Sequence, residues 1–203
     1  FGIVRLACKI SMYSRNPNVL DLYAVKSVAK KNVLARTSGP IAIFTELKCL
    51  KILADSEVGL SPFIANVSYA FHDSRYLYLT LEYCSGGDIR HNLRLQKYHR
   101  FNESTAKFLI SQVLLAIQHC HDNNILHRDV KPENLILDSS GYIKLTDFGV
   151  SKLFHDSHMI CKSTSGTHGY MAPEVYLKGH VHSKPADYFA IGVTLHELVL
   201  GQR

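Results

Sequence analysis

Apolar and β-branched residues dominate Ile3 to Ile10 and Leu22 to Val28, and the polar stretch Ser14 to Asn18 between them carries the turn signal Asn16-Pro17. This pattern predicts a hairpin. After Gly39-Pro40, Ile43, Leu47, Leu50 and Leu53 recur at helical spacing within Ile41 to Leu53, with Pro40 suited to an early helical position. Ile64 to Phe71 and Tyr76 to Tyr83 read as two further strands around the turn His72 to Arg75. From Gly86-Gly87 onward the period lengthens. Asn102 is an N-cap for a helix from Glu103 to about His121, with Phe108, Val113, Leu114, Ile117 and Cys120 on its expected buried faces. Short strands at Leu135 to Leu137 and Tyr142 to Leu145 flank the turn Asp138 to Gly141. A last helix is predicted from Lys184 to Leu200, starting at Ser183 and ending before Gly201. The chain therefore reads as α+β, a small sheet with one helix followed by a mainly helical portion.

Composition narrows the class without naming a chemistry. At 203 residues, 46% hydrophobic and 20% charged, the chain can bury a core of ordinary globular type. No apolar run is long enough to cross a bilayer, and Arg5 and Lys9 stand where a signal peptide needs an apolar stretch, so an intracellular place, cytoplasmic or nuclear, is expected. Five scattered cysteines, Cys8, Cys49, Cys84, Cys120 and Cys161, make a poor disulfide framework and read as free thiols. The formal charge of +6 is spread along the chain with no dense basic run, so nucleic acid is not an expected partner.

Candidate chemistry is concentrated in His127-Arg128-Asp129-Val130-Lys131-Pro132-Glu133-Asn134, followed after a strand, turn and strand by Asp147-Phe148-Gly149. In type, order and separation these resemble the H-R-D-x-x-x-x-N and D-F-G elements of protein kinases. Taken singly, Asp129 could cap a turn, Asn134 could form an Asx-turn and Asp147 could be loop chemistry. The resemblance implies transfer of the γ-phosphate of ATP, a reaction that asks the protein for positioning and charge neutralisation. Asn134 and Asp147 would offer hard oxygen ligands to Mg²⁺. Asp129 would accept the proton of the attacking hydroxyl, and Lys131 would hold positive charge beside the phosphoryl group.

The other family elements occur in order. Ala24-Val25-Lys26 resembles V-A-I-K, so Lys26 would meet the α- and β-phosphates, with Glu46 on the small-lobe helix as its ion-pair partner. Phe1-Gly2-Ile3-Val4 is similar to the tail of the glycine-rich loop, with Gly2 as its third glycine. The resemblance further implies adenine between Val4 and Ala24 above and Ile136 below. It puts the main chain of Glu82 and Cys84 at the adenine edge, Asp88 at the ribose, Glu133 among the nucleotide-binding residues and Leu81 at the back of the pocket. Ala172-Pro173-Glu174 closes the segment that Asp147 opens, and Asp187 would brace the catalytic loop, Phe189 replacing the usual Trp. The implied fold is bilobal, with a small lobe over residues 1–83 and a large lobe over 84–203.

Lys131-Pro132-Glu133-Asn134 and Thr167 resemble the serine/threonine rather than the tyrosine type, so the expected partners are proteins with Ser or Thr acceptors. Gly166-Thr167-His168-Gly169-Tyr170-Met171-Ala172-Pro173-Glu174 is similar to the AGC group. Arg128 beside Asp129 suggests control by an upstream kinase acting on Ser163 or Thr164, with Ser163 in the better register; a solvated loop hydroxyl is the plain alternative. His155, His158 and Cys161 have metal-like spacing, yet no second cluster completes four ligands. A non-catalytic scaffold is the rival from another class, and the retention of Lys26, Glu46, Asp129, Lys131, Asn134 and Asp147 argues against it. Lacking an initiating Met and stopping after an apolar helical pattern, the sequence is expected to be truncated at both ends, within the glycine-rich loop and before the family's C-terminal helices.

Overall fold

The computed structural model describes residues 2–9, 21–35, 39–56, 59–177 and 180–201. Strands β1 (Ile3–Lys9) and β2 (Asp21–Ala29) pair antiparallel from Ile3 opposite Ser27 to Lys9 opposite Asp21, as the hairpin pattern predicts. The predicted turn over residues 14–18 lies outside the described residues, as does Phe1. Chain direction reverses again through α1 (Lys30–Leu34) and α2 (Gly39–Ala54) before β3 (Val67–His72) and β4 (Tyr76–Glu82) complete a four-stranded sheet ordered β1-β2-β4-β3. Asp73 shapes the β3–β4 turn by accepting from the main-chain N–H groups of Arg75 and Tyr76, each at 2.6 Å.

The second portion begins with α3 (Ile89–Leu95), which the hydrophobic pattern does not announce, and α4 (Glu103–Asp122), which it does. Asn102 caps α4, its side-chain oxygen accepting from Thr105 N at 2.8 Å. Strands β5 (Ile125–Leu126), β6 (Leu135–Leu137), β7 (Ile143–Leu145) and β8 (Lys152–Leu153) form two small ribbons, β6 with β7 and β5 with β8. Helices α5 (Pro173–Tyr176) and α6 (Lys184–Leu200) follow. Helix α6 has the predicted bounds and ends on Gly201 with φ of 75°, the left-handed cap that glycine adopts without strain. Ser183 occupies its N-cap position without a side-chain capping bond.

Three sequence readings are corrected. Ile64 is not in β3: Phe63, Ile64 and Ala65 pair with Leu145 of β7 instead, which ties the sheet to the helical portion. Phe108 and Leu114 of α4 are 47% and 40% exposed, because apolar residues cover more of that helix than its described neighbours bury. Tyr142 belongs to the Asp138 turn, donating its N–H to Asp138 Oδ1 at 3.0 Å, so β7 begins one residue later.

One core runs through both portions. Cys49, Leu50 and Leu53 of α2 join Ile89 and Leu93 of α3, the inner face of α4, Val130, Leu145, Phe148 and Leu198 in a single buried cluster. Removing such side chains from water supplies about 25 cal/mol per Å² of apolar surface, and here it fixes α2 against the loops that carry the polar groups described next.

Candidate active site

A cleft of about 470 Å³ opens between the four-stranded sheet and the β6–β7 ribbon. Gly2, Val4 and Ala24 line its upper wall and Ile136 its floor, with Leu81, Glu82 and Cys84 along one side. Asp88, Glu133, Asn134 and Asp147 also line it, together with Lys26 and Glu46. The side strip is pinned by the β6 main chain: Gly86 N donates to Leu137 O and Leu137 N to Gly87 O, both at 2.9 Å. Glu82 commits its carboxylate to Lys144 at 3.0 Å and to Asn66 N at 2.8 Å, so any contact it makes with a ligand falls to its main chain. Burial pushes the Cys84 thiol up to about 11, which keeps it neutral there.

Alternation along β2 sends Lys26 inward, where Nζ donates to Glu46 Oε1 at 2.6 Å and to Asp147 Oδ1 at 3.2 Å. The Lys26 and Glu46 side chains are 13% and 7% exposed. Burial alone would favour the neutral amine, but the two carboxylates outweigh it and Lys26 is raised above its ordinary value. Asp147 shows the same contest in reverse. Burial raises it, while Lys26, His127 and the Gly149 N–H bring the net shift below the ordinary carboxylate range. Its φ of 61° is a left-handed backbone that non-glycine residues avoid.

Across the cleft, Asp129 is the centre of a second cluster. Lys131 Nζ donates to Asp129 Oδ2 at 2.8 Å, Thr167 Oγ1 donates to Oδ1 at 2.6 Å, and Lys131 also reaches Thr167 Oγ1 at 2.6 Å. Asn134 Nδ2 donates to the Asp129 main-chain oxygen at 2.8 Å and to Oδ2 at 3.0 Å. With its amide nitrogen so committed, Asn134 would meet a cation with its amide oxygen. Asp147 bonds Lys26 and Gly149 through Oδ1 and not Oδ2, and its side chain is 42% exposed. Two hard oxygen donors at one end of the cleft suit Mg²⁺.

The loop under this cluster is held by Asp187, 1% exposed on α6. Its carboxylate accepts from His127 N at 3.0 Å and Arg128 N at 2.7 Å, and His121 Nε2 donates to it at 2.8 Å. His127 Nε2 donates to Thr146 O at 3.1 Å and its Nδ1 accepts from Asp129 N at 3.3 Å, which sets the tautomer. Arg128 Nη1 donates to Ser163 Oγ at 2.8 Å, and both Nε and Nη2 donate to Val150 O. Gly166, at φ of 127°, lets the following segment approach: a Cβ there would lie 2.5 Å from Arg128 O. Thr164 instead donates to Val175 O at 3.1 Å.

Of the site residues expected from the sequence, all but Asp129 and Lys131 line this cleft, and that pair joins it through Asn134, whose Nδ2 donates to Asp129 Oδ2. Asp88 lines the cleft and also caps α3, accepting from His91 N at 2.7 Å. Cys161 Sγ lies 3.2 Å from Ser163 Oγ and 3.3 Å from Arg128 Nη1, and among the described residues no group of three or more His, Cys, Asp or Glu is arranged to hold a metal ion. Sequence reasoning missed Arg90, Tyr170 and Glu197, which meet beside the catalytic loop, and His121 behind Asp187. No local pattern signals these pairings, which join residues 27 to 107 positions apart.

The family model for the protein kinase domain matches residues 12–203. The chain belongs to the protein kinase family. Among curated relatives, ribosomal protein S6 kinase alpha-1 of Homo sapiens is 39% identical over 202 residues, covering 99% of this kinase chain and 25% of that protein. Serine/threonine-protein kinase SCH9 of Saccharomyces cerevisiae is 39% identical over 184 residues, 90% of this chain and 20% of its own. The cAMP-dependent protein kinase catalytic subunit of Dictyostelium discoideum is 42% identical over 141 residues, 69% and 21% of the two chains. This kinase chain spans between 20% and 38% of the length of the curated relatives described by these comparisons. The AGC resemblance and the bilobal α+β class agree with these matches. Among the described residues no helix is long and apolar enough to cross a membrane.

Proposed function

We propose that this chain is the catalytic module of an ATP-dependent protein serine/threonine kinase, with lobes over residues 1–83 and 84–203, acting inside the cell in the cytoplasm or nucleus. The observation that carries the reading is the pair of charge clusters at one cleft, Glu46–Lys26–Asp147 in its lining and Lys131–Asp129–Thr167 joined to it through Asn134. A scaffold that only bound partners would have no need of both. The relatives named as serine/threonine kinases support the same reading.

In this mechanism Gly2, Val4, Ala24 and Ile136 enclose the adenine, Glu82 and Cys84 read its edge through their main chain, and Asp88 faces the ribose. Glu133 borders the nucleotide through its main chain, its carboxylate being held by Arg90. Lys26, held by Glu46, draws the α- and β-phosphates into line. Asn134 and Asp147 would hold Mg²⁺, which supplies neutralisation of phosphate charge when bound. Asp129 orients the substrate hydroxyl and takes its proton as the oxygen attacks the γ-phosphorus; the bond to the β-phosphate oxygen breaks and ADP leaves. Lys131 keeps a positive charge beside the transferring group. Thr167, bridging Lys131 and Asp129, holds both in register.

Transfer from Mg-ATP to Ser, Thr and Tyr peptides by the full-length protein tests this. Phosphate is expected on Ser or Thr, with an Asp147→Asn variant losing about two to four decades of kcat as a point of charge neutralisation is removed. ATP binding without any transfer would move the reading to a scaffold.

Ser163 is the proposed site of an upstream kinase, because Arg128 already donates to its hydroxyl and a phosphate there would gain charge-assisted bonds. Ser163→Ala is expected to lower kcat/KM by roughly tenfold, the scale of one such bond, and to make activity insensitive to phosphatase. A wild type whose activity survives phosphatase unchanged would remove Ser163 from the scheme.

A further inference from the structure

Arg90 stands at the second position of α3, oriented by buried Ile89 and Leu93 on either side, and its side chain is 20% exposed. Its guanidinium engages two carboxylates from distant parts of the chain. Nε donates to Glu133 Oε1 at 2.8 Å, Nη1 donates to Glu197 Oε1, and Nη2 donates to Glu197 Oε2 at 3.0 Å. Nη2 also reaches Tyr170 Oη at 2.6 Å, and that hydroxyl donates to Glu197 Oε2 at 2.5 Å. The arrangement is the planar, two-pronged geometry that carboxylates offer to arginine and to no other side chain.

The location gives this cluster a bearing on substrate choice. Glu133 directly precedes Asn134 in the catalytic loop and is 44% exposed, so its carboxylate faces solvent next to the reacting groups. Tyr170 closes the turn whose first residue, Thr167, bonds Asp129, its N–H donating to Thr167 O at 3.1 Å. The two carboxylates are thus tied to the loop and the turn that hold Asp129, the group to which a substrate must bring its hydroxyl. Without Arg90 they would be a paired-acid pocket with the right chemistry for a substrate arginine or lysine.

We infer that Arg90 is a specificity-determining residue, filling from within the carboxylate pair Glu133 and Glu197 and so closing it to a cationic side chain of the protein substrate. This rests on the kinase reading above. A peptide arginine would have to displace a guanidinium already holding Glu197 bidentately, whereas an uncharged side chain displaces nothing.

The test is a positional peptide series around a Ser or Thr acceptor, each flanking position carrying Arg, Lys or Ala in turn, assayed with the full-length wild type and its Arg90→Met variant. At one flanking position the variant is expected to gain an Arg-over-Ala preference in kcat/KM of roughly tenfold to a hundredfold that the wild type lacks, the scale of a charge-assisted bond. The gain should lie in KM, with kcat on the Ala peptide retained. Because Met leaves Glu197 buried without its cation, an Arg90→Met/Glu197→Gln variant is measured beside it; it relieves that burden and still frees Glu133, so a smaller gain at the same position is expected. Arg-to-Ala ratios equal to the wild type's at every position, in whichever variant folds, would overturn the inference and leave Arg90 a structural bridge. Absence of transfer by the wild type on every peptide would overturn the kinase reading and this inference together.

Discussion

Asp129→Asn is expected to lower kcat for phosphate transfer by about two to four decades, the contribution of a positioned general base, while ATP binding stays within about twofold of wild type. The substitution preserves shape, and an asparagine oxygen can still accept from Thr167 Oγ1. What it loses is the negative charge between Lys131 and Thr167 and the ability to take a proton. Lys131 then keeps its bond to Thr167 but lacks its carboxylate partner. Single-turnover kinetics separates these effects from binding, because Lys26 bonds Glu46 and Asp147 rather than Asp129, and Asn134 keeps its bond to the Asp129 main-chain oxygen. Retention of more than about a tenth of kcat would reduce Asp129 to a group that merely orients the acceptor.

How much of this site was legible beforehand follows from the range of each interaction. Asp129, Lys131, Asn134 and Asp147 lie within 19 positions of one another, and local turns bring them together, so their types and spacing carry the family resemblance that implies the chemistry. Lys26 and Glu46 needed only a strand followed by a helix. Helices α4 and α6 were readable because their ends are chemically marked, by Asn102 and by Gly201. Helices α1, α3 and α5 have at most seven residues, too few for a 3.6-residue period to show against noise. Ile89 and Leu93 are a single i,i+4 pair, and Asp88, which caps α3, also matches the family's ribose position. Phe108 and Leu114 were misjudged for a related reason: apolar type signals a helix face, and which face is buried depends on what packs against it. Arg90 and Glu197 are beyond any local reading, since a guanidinium 107 positions from its carboxylate is an ordinary surface arginine until the chain folds.

The largest expected effect on stability is at Asp187. Asp187→Asn should cost about 3 to 5 kcal/mol, the range for removing one partner from a buried charged network, and so lower Tm by roughly 6 to 20 °C. One asparagine oxygen cannot replace two carboxylate oxygens that together accept from His127 N, Arg128 N and His121 Nε2. At least one of these donors is left facing an amide N–H. The damage should reach the chemistry, because Arg128 holds φ of 67°, a strained backbone that persists only where its surroundings impose it, and its N–H bond to Asp187 is part of that imposition. A pH titration of stability supplies an independent check. Burial tends to raise the Asp187 carboxyl, but His121, His127 and the loop N–H groups prevail, and it sits below its ordinary value. A carboxyl depressed in the folded state contributes stability that is complete above its unfolded pKa and is lost as pH falls through the folded one. The wild type should therefore lose stability toward acid more steeply than Asp187→Asn, with part of the slope remaining in the variant because Asp147 is depressed as well. Parallel acid limbs for the two proteins would mean that Asp187 holds the loop by hydrogen bonding alone, with its charge contributing nothing.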